Sequence, residues 1–266
     1  MTFAALDSYA RCTIEKRRLI LVRHGNRQDR VESGDWEAYS QLHNLPLHDP
    51  PLSFEGHAQA LAVAAQLEDC SAVELLTSPY LRCLGTAVPL SQRLGLKMQI
   101  EPALGEWSHP RKNEYRGPAQ CMVAPDLSPY APHFVACRAV QWAPVQIVPN
   151  ESVLDLHLRA HRLATELEKV ANGTTVCISH ASVILALARA LVRDATLQLE
   201  VGMASITVLQ RDAEGNWTLV SQTEVAQDSS PSYTFPSDYQ FELGSIDYTK
   251  LRREEVKSDA GPRAEQ

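Results

Sequence analysis

Apolar residues in this chain fall into short unbroken runs, separated by segments of helical period. Leu19-Ile20-Leu21-Val22 is the first run and reads as a buried strand over about 18–23. Val73 to Thr77 is a second, Lys97 to Ile100 a short third broken by Glu101-Pro102, and Thr174 to Ile178 a fourth, rich in β-branched residues. Met203 to Gln210 and Trp217 to Thr223 read as two more strands, joined by a turn at Glu214-Gly215-Asn216. Between the strands lie helices. Ser53 caps one over about 54–68, with Phe54, Ala58, Leu61 and Ala65 at helical spacing. Another begins at Leu81, carries Arg82 on its first turn, and should end or kink at Pro89. Ser152 caps a third, whose stripe is Val153, Leu156, Ala160, Leu163, Leu167 and Val170 and whose stop is Gly173. A strongly apolar helix follows His180 to about Val192.

This order predicts an α/β fold: a three-layer sandwich with a mostly parallel central sheet flanked by helices. Two stretches break the pattern. Residues 26–51 are polar and form a long loop, with a short helix near Trp36. Residues 105–150 are rich in proline and lack periodicity, with Trp107, Tyr115, Tyr130, Phe134 and Trp142 scattered through them. They read as a cap-like insertion, too irregular to hold a core of their own. One domain over 1–245 is expected, with residues 246–266 a polar, disordered tail.

Composition narrows the function classes. The net charge of −7 argues against a general nucleic-acid binder, so any anion site must be a local cluster of arginines. The six cysteines form no Cys-x-x-Cys pair and no zinc spacing, which suits free thiols in a reducing compartment. No apolar leader is seen near the start, and the longest apolar run, Val183 to Val192, is too short for a membrane span. The expected location is cytoplasmic or nuclear.

Candidate chemistry gathers where the strands end. In an open α/β sheet ligands bind beyond the carboxyl ends of the strands. The first strand delivers Arg23-His24-Gly25, with Arg27 close behind; Arg82 follows the second strand by one turn, Glu106 lies past the third, and His180 follows the strand at 174–178. Guanidinium groups suit a ligand with several anionic oxygens. A histidine between cations loses basicity, and a neutral imidazole is a nucleophile. The tripeptide alone leaves two readings level: His24 attacking a phosphoryl group held by Arg23 and Arg27, or a turn histidine beside two solvated arginines. Two histidines, three arginines and a carboxylate on one rim favour the first. His157 and His161 are four apart on a helix but lack the glutamate of a zinc-protease helix, so they read as a helix-edge pair.

Five segments resemble the histidine phosphatase superfamily, also called phosphoglycerate-mutase-like. They are Leu-Val-Arg-His-Gly at 21–25, Pro-Leu-Ser-Phe-Glu-Gly-His-Ala-Gln-Ala at 51–60, Ser-Pro-Tyr-Leu-Arg-Cys-Leu-Gly-Thr-Ala at 78–87, Glu-Ser-Val-Leu-Asp at 151–155 and Ser-His-Ala at 179–181. Arg-His-Gly-x-Arg-x-Asp at 23–29, Glu-Pro-Ala-Leu-Gly-Glu-Trp at 101–107 and His-Ala-Ser at 180–182 resemble the branch of suppressor-of-T-cell-receptor-signalling and ecdysteroid-phosphate phosphatases.

The resemblance implies a metal-independent phosphomonoesterase. In it His24 takes the phosphoryl group, Arg23, Arg27 and Arg82 hold its oxygens, His180 completes the pocket as a cation or donor, and Glu106 protonates the leaving group. Neither cofactor nor metal is expected. The implied partner is a phosphorylated substrate, either a small molecule or a phosphotyrosyl protein, with no nucleic acid; the oligomeric state is left open, a homodimer included. Asn26 stands where that branch often has glutamate, and Gly85 where glutamine is frequent, which should loosen its helix. A non-enzymatic interaction subunit with the same fold is the alternative, and a phosphomutase a weaker one.

Overall fold

A computed structural model describes residues 17–31, 35–107, 128–134, 151–170, 173–223 and 246–248. Its centre is a six-stranded sheet of β1 (Arg18–Arg23), β2 (Ala72–Thr77), β3 (Met98–Ile100), β4 (Thr174–Ser179), β5 (Ile206–Arg211) and β6 (Trp217–Thr223). The strand order is β3-β2-β4-β1-β5-β6. The first four are parallel, and β5 and β6 are antiparallel. The α/β sandwich with a mostly parallel sheet is therefore what the chain forms.

Among the described residues six α-helices accompany the sheet: α1 (Gln28–Val31), α2 (Trp36–Leu42), α3 (Phe54–Gln66), α4 (Leu81–Leu94), α5 (Val153–Val170) and α6 (Ala181–Val192). Alternate residues of each strand point to opposite faces. Leu19, Leu21, Leu76 and Cys177 pack with α5 and α6. Ile20, Val22, Leu75, Val176 and Ile178 pack with α3 and α4. A strand buried on both faces must be apolar at every position, which is why β1 reads as an unbroken run. Register then fixes the site. Arg23 pairs with Ser179, so His24 and His180 leave the sheet side by side. Thr77 pairs with Ile178, which brings Ser78 to the same edge.

Several expectations are corrected. The stripe assigned to α3 faces outward: Phe54 is 90% and Leu61 60% exposed, and Ala58 and Ala65 are exposed too. The buried face is Gly56, Gln59, Ala60, Val63 and Ala64, of which Gly56, Ala60 and Ala64 are small enough to allow close approach. Pro89 does not end α4, which runs on to Leu94 and a left-handed Gly95. Buried side chains on both sides of Pro89, from Arg82 to Ala87 and at Leu90 and Ser91, outweigh one lost helix bond. Gly85, expected to loosen this helix, admits Leu52: an added Cβ would lie 3.0 Å from the leucine side chain. The fifth strand begins at Ile206, three residues later than expected, because Ser205 closes a turn on Gly202 and Ala204 is left-handed at φ 55°. The histidine pair is not a helix-edge pair, since His157 and His161 are both buried.

The segments that broke the pattern lie only partly within the described residues. Near Trp36 the expected helix forms as α2, and Gln28–Val31 adds a turn of helix that the sequence did not announce. Of the insertion at 105–150, residues 108–127 and 135–150 lie outside the described residues. The remainder packs on the domain: Phe134 bridges to Met98 beside β3, and Tyr130 and Phe134 pack against the cluster formed by α3 and α4. The tail boundary at 246 cuts through packed chain, because Ile246 and Tyr248 are buried against the α5–α6 side; residues 249–266 lie outside the description.

Candidate active site

β1, β4 and β2 each end in a residue whose backbone is already committed. His24 N–H donates to the Ser179 carbonyl, and the His24 carbonyl accepts from Ala204 N–H. Gly25 N–H donates to Thr86 Oγ1 on α4, whose hydroxyl in turn donates to the Arg82 carbonyl. Such anchoring leaves the His24 ring little freedom. Its Nδ1 lies 2.8 Å from the Gly25 carbonyl. A carbonyl only accepts, so Nδ1 carries the proton and Nε2 keeps a free lone pair.

Electrostatics supports the same state. The His24 ring is buried and its pKa is held well below the ordinary 6.5, first by burial, then by the charges of Arg82, His180 and Arg23. Burial is a larger cause than the flanking cations expected from the sequence.

Arg82 lies at the centre of the group and is fully buried. Its Nη1 is 3.3 Å from Asp49, its Nη2 is 3.5 Å from Glu106 and 3.3 Å from His180 Nδ1, and its charge stacks over the Tyr80 ring at 4.5 Å. Its Nε is buried and has no hydrogen-bond partner among the described residues. A buried donor of this kind is costly to leave unmade, and a ligand oxygen would satisfy it. Arg23 donates from Nη1 to the Val201 carbonyl at 2.6 Å. Arg27 gives one edge of its guanidinium to Asp29, with Nε 2.8 Å from Oδ1 and Nη2 on Oδ2. Its charge still acts on Arg82 and Asp49, so it belongs to the same rim.

His180 and Glu106 complete the group. The His24 and His180 rings are 5.2 Å apart, edge to face. His180 Nε2 shares a 2.9 Å hydrogen bond with Ser78 Oγ, and its Nδ1 lies 3.4 Å from Glu106 Oε2. Burial pushes the His180 pKa down to about 4 against the pull of the Glu106 carboxylate. The resting ring is therefore neutral, and it becomes a cation only if a bound anion raises it. Glu106 is the most open member, with 22% of its side chain exposed. It accepts from Ser182 Oγ at 2.9 Å and from Trp107 N–H at 3.1 Å.

All six candidates thus meet at one end of the sheet. His24, Glu106 and His180 also present ligand atoms within 4.8 Å of one another, a spacing that could hold a metal ion. A cation there would face the Arg82 guanidinium. The donors fit a tetrahedral oxyanion better.

Sequence reading missed Asp49, Ser78 and Ser182 as contributors. Ser78 and Ser182 stood inside the matched motifs without a role; Asp49 stood in an aperiodic loop that gave no signal. Asp49 accepts from Leu81 N–H through both oxygens at 3.1 and 3.0 Å, and so ties that loop to the start of α4.

The fold and this site define a class. The sequence matches the histidine phosphatase superfamily (branch 1) over residues 19–224, and the chain belongs to that superfamily. The mouse ubiquitin-associated and SH3 domain-containing protein A is 31% identical over 123 residues. That match takes in 36% of this chain and 20% of the mouse protein, so the chain spans about a fifth of that relative's length. Among solved structures, mycobacterial hydrolase 1 is 26% identical with a TM-score of 0.52, covering 77% of this chain and 97% of that one. The ecdysone phosphate phosphatase of Bombix mori, solved with tungstate, shares the fold at a TM-score of 0.54 and 19% identity, covering 85% and 99%.

Proposed function

We propose that this protein is a phosphomonoesterase that works without a metal, through a phosphohistidine on His24. The observation that carries the reading is the pairing of a buried, neutral His24 with the fully buried Arg82, whose Nε has no partner among the described residues. That is a nucleophile beside an unfilled donor for a phosphoryl oxygen.

The chemistry follows from the residues. Arg82, Arg23 and Arg27 hold the three non-bridging oxygens, since phosphoryl transfer depends mainly on positioning and charge stabilisation. The Nε2 lone pair of His24 forms the N–P bond while the ester P–O bond breaks. Glu106 gives its proton to the departing oxygen. A bound phosphate dianion favours the protonated carboxyl by adding negative charge beside it. Water then attacks phosphorus, Glu106 takes the water proton, the P–N bond breaks and phosphate leaves. His180 steadies the oxygens from the far side, as a donor or, once the anion is bound, as a cation. The substrate is a phosphate monoester of a small molecule or a phosphotyrosyl protein.

The test is phosphate release from p-nitrophenyl phosphate in EDTA, wild type against His24→Ala, with acid-labile labelling of His24. Turnover that persists in EDTA and disappears in the variant is expected. Equal turnover in both proteins would overturn the reading.

A further inference from the structure

We infer that Arg159 is the positioning residue of the acid, holding the loop at 101–106 so that Glu106 meets the leaving-group oxygen. The inference rests on the phosphohistidine reading above. Arg159 projects from α5 and only 3% of its side chain is exposed. One edge of its guanidinium forks onto Glu151, with Nε 2.6 Å from Oε1 and Nη2 2.7 Å from Oε2. Its Nη1 donates to the carbonyls of Ala103 at 2.6 Å and Gly105 at 2.9 Å. One planar group thus fixes two backbone oxygens immediately before Glu106.

Further ties hold the same loop. Trp107, directly after Glu106, donates from Nε1 to the Glu151 carbonyl at 2.9 Å. Ser179, beside His180, donates to the Leu104 carbonyl at 2.7 Å. Glu101 accepts from Ala103 N–H at 2.8 Å. Positions 103, 104, 105 and 107 are therefore held, and from between them the Glu106 carboxyl, which also accepts from Ser182 Oγ and Trp107 N–H, reaches Arg82 and His180.

A buried ion pair is a weak source of stability, because desolvation offsets most of the attraction. What the fork supplies is geometry. Arg159 touches none of the reacting groups; its charge acts on His180 from a distance, and its hydrogen bonds act on turnover through the placement of Glu106. Placement of an acid matters in proportion to how much the leaving group needs a proton. Nitrophenolate departs with little help; an alkoxide requires protonation as its P–O bond breaks.

The experiment measures kcat/KM on p-nitrophenyl phosphate and on β-glycerophosphate for wild type, Glu106→Gln, Arg159→Lys and the double variant Glu151→Gln/Arg159→Met. Lysine keeps the charge but not the fork. The double variant removes both charges of the fork, so Glu151 is not left buried without its partner, and thermal unfolding confirms which variants are folded. Glu106→Gln should lose far more on glycerophosphate than on the nitrophenyl ester. Arg159→Lys and the double variant should show the same skew, with glycerophosphate turnover down about 100-fold, the scale of a displaced catalytic group. If Glu106→Gln is skewed and the folded Arg159 variants lose both substrates equally, or neither, Arg159 is merely structural and the inference falls. If Glu106→Gln shows no skew, the assignment of the acid fails first.

Discussion

Whether His24 acts depends on its charge at working pH. Burial, Arg82, His180 and Arg23 all press its pKa down, and the Gly25 carbonyl pins the remaining proton on Nδ1. The sign is definite: a lowered pKa leaves the ring neutral at and below pH 6.5, so Nε2 stays available in mild acid. NMR titration of ring nitrogens, with His24→Asn to assign the signal, should find His24 neutral at pH 6; a midpoint at or above 6.5 would sink the electrostatic argument. Arg82 makes a second demand at this scale. Arg82→Lys retains charge but loses the planar set of donors, and kcat/KM on p-nitrophenyl phosphate should fall about 100-fold or more. A loss of only a few-fold would mean that charge alone suffices. These two residues were legible from the motif around each. Arg159 was not, because on a helix read from its apolar stripe a charged residue looks like the solvated face.

At the scale of elements, the site depends on how closely α3 approaches the loop after β1. An added Cβ on Gly25 would lie 2.6 Å from the Gly56 carbonyl, and one on Gly56 would run into the Asn26 carbonyl. The two glycines let backbone meet backbone, while Ser53 N–H donates to the Asn26 carbonyl and Gln59 Oε1 accepts from Asn26 N–H. Gly56→Ala should force the helix and loop apart, costing about 1–3 kcal/mol as overpacking does, and should lower turnover by displacing His24. Urea unfolding and phosphate release on the same preparation check both halves; an unchanged midpoint would show that the contact relaxes freely. The same contact explains what the sequence concealed. Strands buried on both faces announce themselves as apolar runs, so β1 and β4 were read nearly to the residue, and β2, buried only over Leu75–Thr77, to within one residue. The inner face of α3 is built from the small Gly56, Ala60 and Ala64 with Val63 and a hydrogen-bonded Gln59, and a search for large apolar residues lands on the outward Phe54 and Leu61.

For the molecule as a whole, a pocket that keeps its histidines neutral makes the fold sensitive to acid. Burial pushes His157 and His180 down to about 4, and His24 is lowered as well. Between about 4 and the ordinary 6.5 the unfolded chain binds protons at these rings that the native chain does not. Stability therefore rises with pH across that window and is lost as pH falls through it. Asp49 and Glu101, whose carboxyls burial raises, act in the opposite sense at the lower end. The histidines start to matter first on acidification, so the melting temperature should drop steadily from pH 6.5 downward. His157 separates this effect from catalysis: it is fully buried on α5, its Nδ1 bonds the Val153 carbonyl, and it has no part in the site. His157→Leu should flatten the dependence of melting temperature on pH between 6.5 and 4.5 while leaving p-nitrophenyl phosphate turnover at pH 7 unchanged. A slope identical to wild type would place the acid sensitivity in the active-site histidines alone. The proposed chemistry would then carry the whole cost, because the burial that keeps His24 neutral is also what the chain must surrender when that ring is charged.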